Sequence, residues 1–381
     1  MYFMNNTTKT INSVPLLDLH QEYEDIMPDI KLAIDQVLEK KAFINGPDIK
    51  ELEKECADYC QTKHAIGVSS GTDALLLALM AMGIGEGDEV ITTSFSFFST
   101  AGSIARTGAT PVFVDIDANT YNIDVNLIES KITSKTKVIM PVHLFGQMAN
   151  MDDIMALADK YNLLVIEDAA QAIGSSYVDK KGNVRKAGSV GHIGCFSFFP
   201  SKNLGAMGDG GLVTCQSDEI AEKLIIFKNH GSKPKYYHHY IGGNFRLDTI
   251  QAAILRVKLP LLEDQHNSRI KNADYYFQNL KDIKLPFIEK HNRSIFNQFT
   301  LYYEKRDELM KALKDANIGH AIYYPVPLHL QSCFSHLNYK QGDCPVSEDC
   351  AEKVVSIPIF PKLNNAQKDY IIKTIHDFLA N

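Results

Sequence analysis

A lysine stands in a turn rich in serine, proline and glycine, directly after an aromatic stretch. Residues 194–205 read GCFSFFPSKNLG, with Lys202 near the end, and the run GDGG follows at 208–211. Desolvation in such a turn would lower the pKa of the ammonium group and make the amine nucleophilic. Most lysines are only solvated, so an ordinary surface lysine is the alternative interpretation of this motif. A Walker A loop does not fit, because the lysine precedes the glycines.

Two carboxylates end an apolar run at residues 163–171, which read LLVIEDAAQ. If the run is a buried strand, Asp168 lies at its tip, where it could pair with a protonated ring nitrogen. Gln171 could then reach a neighbouring hydroxyl or oxyanion. Taken alone, Asp168 could equally well cap a following helix.

An anion site and an aromatic surface complete the candidate chemistry. Residues 69–73 (SSGTD) precede the apolar stretch 74–82, and hydroxyls with a glycine at a helix N-terminus can bind an anion, although an ordinary helix cap is commoner. Residues 95–98 (FSFF) could stack on a planar ring, although such clusters usually pack in a core. An aldehyde cofactor with a phosphate and a pyridine ring would need anion site, aromatic, acid and lysine together.

Buried strands alternate with helical patterns and would bring these groups together. Apolar, β-branched runs occur at 89–93, 110–116, 137–143 and 163–167, and amphipathic stretches such as 99–106 separate them. Strands without polar alternation, joined by helices, predict a parallel sheet covered on both faces. Active groups are then expected at the carboxyl ends of the strands.

The pattern changes after Pro260. A charged helical segment, a strand-like piece, a second helix, a proline-rich turn and a closing helix are expected at 261–280, 296–303, 307–316, 325–327 and 366–379. We therefore predict an N-terminal tail at 1–14, a large α/β domain at 15–259 and a smaller α+β domain at 260–381.

Composition excludes several classes of function. The 381 residues carry a net charge of −7, which gives no general attraction to nucleic acid or acidic membranes. The longest apolar run, at 74–82, is far below the roughly 20 residues that span a bilayer. Seven scattered cysteines without a CxxC pair, and histidines without HExxH spacing, argue against a metal site. The first dozen residues do not resemble a secretory signal, so we expect a cytoplasmic protein.

Seven segments together resemble one enzyme family. They read SSGTDALLLAL, GATPVFVDID, PVHLFGQ, VIEDAAQAIG, FSFFPSKNLGAMGDGG, GGNFRLDTIQAAIL and YYPVPLHLQ. From about residue 15 to the C-terminus, the chain resembles the DegT/DnrJ/EryC1/StrS nucleotide-sugar aminotransferases, which use pyridoxal 5′-phosphate. The resemblance implies an aspartate-aminotransferase-like fold (fold type I), with a mostly parallel central sheet in the large domain and a smaller α+β C-terminal domain.

The same resemblance implies roles for particular residues. Lys202 would hold the cofactor as an internal aldimine and, once displaced, would act as general base and acid. Asp168 would pair with the pyridinium nitrogen, so that a carbanion can be delocalised into the ring. Phe97 would stack on that ring, and Gln171 would contact its 3-hydroxyl side.

The phosphate group and the oligomer are linked in this resemblance. Gly71, Thr72 and Ser197 would bind the phosphate, joined by Asn244 from the neighbouring subunit of a homodimer with shared active sites. Without the resemblance, Asn244 would be taken as a cap of its own helix.

The reaction that the resemblance implies is transfer of an amino group, with L-glutamate as the expected donor, to a keto group of a dTDP- or UDP-linked sugar. The segment 323–331 resembles members that act at C3. Arg246, Tyr324 and His329 are the candidate substrate contacts, although Arg246 could be structural and His329 could only pack its turn. A 4-keto sugar aminotransferase, a non-catalytic pyridoxal-binding regulator and a dehydrogenase on a similar sheet are the alternatives.

Overall fold

The computed structural model describes residues 11–380. The predicted tail at 1–14 therefore lies mostly outside the described residues. Val14, at its end, forms a parallel bridge with Ile318 and is fully buried in the core of the C-terminal part.

The chain alternates strands and helices through its first two thirds. The strands are β1 (His64–Val68), β2 (Glu89–Thr93), β3 (Thr110–Val114), β4 (Thr136–Met140), β5 (Leu164–Asp168), β6 (Ser176–Val178), β7 (Val184–Lys186), β8 (Ile193–Ser197), β9 (Gly211–Cys215), β10 (Asn292–Arg293), β11 (Phe299–Tyr302) and β12 (Val354–Ile357). The helices are α1 (Leu19–Tyr23), α2 (Met27–Lys40), α3 (Pro47–Cys60), α4 (Gly71–Ala81), α5 (Ser99–Arg106), α6 (Val125–Ile128), α7 (Met151–Tyr161), α8 (Asp218–Lys228), α9 (Thr249–Lys258), α10 (Leu262–Asn279), α11 (Arg306–Asp315), α12 (Pro345–Lys353) and α13 (Asn365–Leu379).

A seven-stranded sheet in the order β1-β9-β8-β5-β4-β2-β3 forms the centre of the part of the chain that we propose as the large domain. Strands β3, β2, β4, β5 and β8 are parallel, whereas β9 is antiparallel to both β8 and β1. The adjacent residues Val90 and Ile91 of β2 belong to different apolar clusters, one on each face of the sheet. Both faces are therefore buried, which confirms the predicted mostly parallel α/β fold.

Helix α4 is buried along most of its length. Ser70 caps its N-terminus by accepting a hydrogen bond from the Asp73 amide. Seven of its residues are buried, and most of them belong to the apolar cluster on one face of the sheet. A helix that is apolar on all sides is stable only when it is buried in this way. The sheet thus fixes where this helix begins, beside the carboxyl end of β8.

The C-terminal part has its own core around Tyr276, Phe299 and Ile371, beside the antiparallel pair β11 and β12. The predicted change of sequence pattern near residue 259 falls between α9 and α10, and we propose the residues after it as the small domain. A small sheet in the order β10-β6-β7 was not predicted. Its strands have two or three residues each, too few for a period-two pattern to be visible in the sequence.

Asp115, just after β3, ties the two parts together at the N-terminus of α12. Its carboxylate accepts hydrogen bonds from the amides of Val346 and Ser347 at 2.8 and 2.9 Å, and from the Ser347 hydroxyl at 2.6 Å. A carboxylate at a helix N-terminus satisfies free amides and complements the helix dipole. Across residues 11–380, no helix combines the length and apolar character needed to cross a membrane.

Candidate active site

A cavity of about 490 Å³ lies at the carboxyl ends of the parallel strands, against the small domain. Eight residues singled out from the sequence line it together: Gly71, Thr72, Phe97, Asp168, Gln171, Ser197, Lys202 and Tyr324. They come from the ends of β5 and β8, the start of α4, the loops after β2 and β8, and the small domain. A shared cavity of this size can accommodate a small cofactor with part of a substrate.

Lys202 lies in the tight turn that follows β8. Its amide donates to the Phe199 carbonyl at 2.8 Å, and the Ala206 amide returns to the Phe198 carbonyl at 2.7 Å. Burial lowers the pKa of Lys202 to about 8, while the negative charge of Asp168 opposes that shift. Roughly a tenth of this amine is therefore neutral and nucleophilic at pH 7, far more than for an ordinary lysine.

Asp168 is 4% exposed at the tip of β5. Thr100 Oγ1 donates to its Oδ2 at 2.7 Å, and the Ala170 amide donates to its Oδ1 at 3.2 Å. Burial raises the pKa of Asp168, and the hydrogen bonds from Thr100 and Ala170 counteract that rise. No helix begins at the residues that follow, so the structure does not use Asp168 as a helix cap.

Behind Asp168, Glu167 and His143 form a buried pair, with 2.7 Å between Oε2 and Nε2. His143 Nδ1 accepts from the Ala149 amide, which leaves the imidazole proton on Nε2, directed at Glu167. Burial alone would raise the pKa of Glu167, but hydrogen bonds from His143 and nearby backbone amides hold it below its usual value. The pair lies next to the site and stabilises the end of β5.

The start of α4 and the end of β8 form a cradle for an anion. A Cβ on Gly71 would lie 2.7 Å from the Ser197 Cβ, so the two segments approach more closely than a larger residue allows. Ser70 Oγ accepts from the Asp73 amide, whereas the amides of Gly71 and Thr72 have no acceptor among residues 11–380. These free amides at a helix N-terminus suit a phosphate group.

Aromatic and amide side chains form another wall. The Phe97 ring is 57% exposed and lies 6.1 Å from the Tyr324 ring. Gln171 Nε2 donates to the Tyr324 hydroxyl at 3.0 Å, and Gln171 Oε1 accepts from the Phe145 amide at 2.8 Å. Phe97 therefore offers a free face for stacking, while Gln171 joins the two domains across the cavity.

Three predicted residues do not line this cavity. His329 is buried, 3.0 Å from the Glu348 carboxylate, and its ring lies edge-on to Tyr339. The backbone of Arg246 forms an antiparallel bridge with that of Val68, the last residue of β1. The Arg246 Nε is buried and has no hydrogen-bond partner among the described residues. Asn244 is exposed, and its backbone forms an antiparallel bridge with that of Asn229. It does not cap α9, whose N-cap is Asp248.

Several cavity residues were not predicted. Ser96 and Ser99 follow β2, and their hydroxyls occur inside the FSFF motif or just after it. Tyr323 and Gln298 reach the cavity from the small domain. Tyr323 belongs to the motif YYPVPLHLQ and could have been found there, whereas Gln298 lies in an ordinary strand-like segment. Its Oε1 is buried and has no hydrogen-bond partner among the described residues.

The donor set fits pyridoxal phosphate. A lysine with a lowered pKa suits the aldehyde of that molecule, and a buried carboxylate suits its pyridine nitrogen. An exposed aromatic face suits its ring, and free amides at a helix N-terminus suit its phosphate. A metal ion has less support, because residues 11–380 contain no group of three or more His, Cys, Asp or Glu side chains placed to hold one.

Comparison with known proteins agrees with this geometry. The model of the DegT/DnrJ/EryC1/StrS aminotransferase family matches residues 24–376. A pleiotropic regulatory protein of Geobacillus stearothermophilus is 48% identical, over 96% of this chain and 98% of that protein. A UDP-N-acetyl-3-dehydro-alpha-D-glucosamine 3-aminotransferase of Acidithiobacillus ferrooxidans is 45% identical, over 93% and 95%. A dTDP-3-amino-3,6-dideoxy-alpha-D-galactopyranose transaminase of Aneurinibacillus thermoaerophilus is 41% identical, over 96% and 99%.

Solved structures give the same result. The S. venezuelae protein DesV, crystallised with a ketimine intermediate, has a TM-score of 0.93 at 39% identity and covers 97% of this chain and 99% of its own. The Bacillus subtilis protein NtdA, with its bound cofactor PMP, has a TM-score of 0.90 at 29% identity and covers 98% and 87%. PMP is the amino form of pyridoxal phosphate, so the cofactor that fits the cavity is also the one found on this fold.

Proposed function

Because the chain belongs to the DegT/DnrJ/EryC1/StrS aminotransferase family, we propose that it transfers an amino group from an amino acid to C3 of a nucleotide-linked keto sugar. The protein is thus a pyridoxal-phosphate-dependent aminotransferase. The observation that carries the proposal is that Lys202, with its lowered pKa, and the buried Asp168 line the same cavity. The charge of Asp168 acts there on the Lys202 amine.

Bound pyridoxal phosphate supplies an aldehyde carbon that carries the amino group and a ring that accepts electrons. Lys202 is the residue that would hold that carbon covalently. Once free, its amine would take a proton from the donor's α-carbon and would later deliver a proton to the sugar carbon. Its pKa of about 8 leaves roughly a tenth of the amine neutral at pH 7, so both the base form and the acid form are populated.

Asp168 would keep a proton on the ring nitrogen, because its buried negative charge has few other partners. Phe97 would stack on the ring, and Gln171, which donates to the Tyr324 hydroxyl, would contact the 3-hydroxyl side. Gly71, Thr72 and Ser197 would bind the phosphate at the start of α4. In these assignments each residue acts on a different part of one flat, charged molecule, which fixes its orientation.

We assign the keto sugar to the C3 class because two close relatives are named for amino transfer at C3 of UDP- or dTDP-linked sugars. The motif YYPVPLHLQ at 323–331 supports the same position, and Tyr324 lines the cavity. The donor we propose is L-glutamate. Arg246 and His329 remain candidate substrate contacts, although neither lines the cavity within its own chain.

We further propose a cytoplasmic homodimer with shared active sites, in which Asn244 and Arg246 serve the neighbouring subunit. Asn244 is exposed, and the segment before it carries Tyr236 and Ile241, which are 78% and 91% exposed. Exposed apolar side chains beside a polar residue with no local task suit a contact with a second copy of the chain.

A substrate panel tests the proposal. The purified enzyme is mixed with glutamate and with 3-keto and 4-keto sugars linked to dTDP or UDP, and the products are read by mass spectrometry. We expect a mass change corresponding to replacement of one keto oxygen by an amino group, only with 3-keto sugars. Selective amination of 4-keto sugars would overturn the assignment to C3.

A regulator without turnover is the second candidate, because the most similar relative named above is called a pleiotropic regulatory protein. The two functions differ in the response to an amino donor. An aminotransferase converts its cofactor to the amino form, with a change in absorption, before any sugar is added. A holoenzyme whose absorption is unchanged by a panel of amino acids would favour the regulator.

A further inference from the structure

Thr100 is a fully buried threonine directly behind the site. It lies in the first turn of α5 and is 0% exposed, and its hydroxyl donates to Asp168 Oδ2 at 2.7 Å. The only other hydrogen bond to that carboxylate among the described residues comes from the Ala170 amide, at the longer distance of 3.2 Å. Thr100 therefore provides the shorter of two bonds to a buried charge.

The direction of this bond follows from its partners. Thr100 Oγ1 is also 2.9 Å from Ser96 Oγ, where either atom could donate. An ionised carboxylate can only accept, so Thr100 spends its single proton on Asp168. Ser96 must then donate to Thr100. The result is a chain of hydroxyls that starts at Ser96 in the cavity wall and ends on Asp168, and such chains strengthen their final bond.

Helix α5 also connects the two ends of the proposed cofactor site. Ser99, next to Thr100, lies 2.6 Å from Thr72 Oγ1 at the start of α4. Successive helix residues point about 100° apart, so one turn can direct its hydroxyls at two targets. Any movement of α5 would therefore change both the anion cradle and the environment of Asp168.

We propose that Thr100 is a positioning residue that keeps the Asp168 carboxylate ionised and directed at the ring nitrogen of the cofactor. This inference rests on the assignment of Asp168 made above, but it does not depend on which sugar is the substrate. Thr100 acts through Asp168 and has no contact of its own with the cavity.

Other groups contribute to the charge around Asp168. Lys202 acts on it electrostatically and favours its ionised form, and the buried His143 lies nearby, paired with Glu167. Burial raises the pKa values of Tyr324 and Cys195, and the nearby Asp168 charge raises them further. A test must therefore remove the Thr100 hydroxyl without changing the shape of this surrounding group.

The isosteric substitution Thr100→Val meets that requirement. With less support for the Asp168 charge, the ring nitrogen keeps less of its proton and withdraws electrons less strongly. The nitrogen that joins the cofactor to Lys202 then holds its own proton to higher pH. We expect the midpoint of the pH-dependent absorption change of the holoenzyme to rise by about half a pH unit, and cofactor affinity to fall several-fold. Thr100→Ser should restore the wild-type midpoint.

Matched variants make the result decisive. Thr92 is another fully buried threonine of the same domain, and its hydroxyl donates to the Met140 carbonyl away from the site. Thr92→Val should leave the midpoint unchanged. If Thr100→Val does not fold, Ser96→Ala tests the same chain and should give a smaller rise. An unchanged midpoint in a folded Thr100→Val protein would overturn the inference. If Thr100→Val does not fold, an unchanged midpoint in Ser96→Ala would overturn it instead.

Asp168→Asn separates this inference from the assignment beneath it. If Asp168→Asn raises the midpoint and Thr100→Val does not, only the role of Thr100 is wrong. If neither variant moves the midpoint, the assignment of Asp168 to the ring nitrogen is wrong as well, and the inference fails with it.

Discussion

Two buried lysines of this chain share a lowered pKa of about 8, and burial is the main cause in both. Their surroundings differ. Lys202 lines the cavity, whereas Lys258 donates to the Tyr23 hydroxyl at 2.8 Å and to the Gly205 carbonyl at 2.5 Å. A lowered pKa alone therefore does not make a lysine reactive toward the cofactor. The amine must also lie in the cavity.

We expect borohydride reduction of the holoenzyme, followed by peptide mapping, to find the pyridoxyl group on Lys202 alone. Lys202→Ala should abolish the covalent link and lower turnover by several orders of magnitude, since nucleophile and proton carrier are lost together. Lys258→Met is the matched control and should still be labelled at Lys202. A label on any other lysine contradicts the assignment.

The lowered pKa of Lys202 also predicts a pH dependence. Only the neutral amine attacks an aldehyde, so covalent capture of pyridoxal phosphate by the cofactor-free protein should rise with pH and level off above about pH 8. Below that value the rate should fall about tenfold per pH unit. Stopped-flow absorbance measures it, with Nα-acetyl-lysine as the reference. Its rate should keep rising to about pH 10, and a protein curve parallel to this reference would contradict a lowered pKa.

At the level of elements, the sequence predicted best where the chain itself determines the position. Strand β2 and helix α5 lie at the expected residues, because an apolar run and a helical period of ordinary length mark them. Lys202 and Asp168 follow directly from the strands that precede them. Gln298 could not be predicted in this way, since it reaches the cavity only when the small domain packs against the sheet.

His329 illustrates the same limit. Its position beside prolines in a family motif predicts a substrate contact, whereas its Nε2 lies 3.0 Å from the Glu348 carboxylate and the residue does not line the cavity of its own chain. Periodicity gives the face of a helix or strand, whereas the direction of a side chain in a turn depends on distant partners. Most residues predicted to contact the cofactor therefore line the cavity, whereas Tyr324 alone of the predicted substrate contacts does so.

The contact between α4 and β8 allows a test at the level of elements. Gly71→Ala would bring a methyl group within 2.7 Å of the Ser197 Cβ and push the start of α4 away from β8. We expect cofactor affinity to fall about tenfold, because the amides that bind phosphate would move. Gly85→Ala is the control, since its added carbon meets only the Thr107 carbonyl at 3.5 Å. Fluorescence titration measures both, and equal affinities would contradict the proposed cradle.

For the whole molecule, the division into two parts explains where the site lies. Asp115 caps α12 across the boundary, and the Ser94 hydroxyl, just before the loop of Phe97, lies 2.5 Å from the Ser347 hydroxyl. The small domain is thus attached to the loop that carries an aromatic wall of the cavity. Asn244 and Arg246 lie outside that arrangement, so their proposed roles require a second subunit.

Mixing two inactive variants tests that requirement. Lys202→Ala and Asn244→Ala proteins are combined under conditions that allow subunits to exchange, provided that Asn244→Ala alone proves strongly impaired. With shared sites, each mixed dimer has one site with both defects and one with neither. Random exchange makes about half of the dimers mixed, so roughly one quarter of the wild-type sites should reappear. If Asn244 serves its own subunit, every site of a mixed dimer carries one defect and activity stays at the level of the separate proteins. Native mass spectrometry must verify the mixed dimers, and their presence without recovered activity would exclude the shared site.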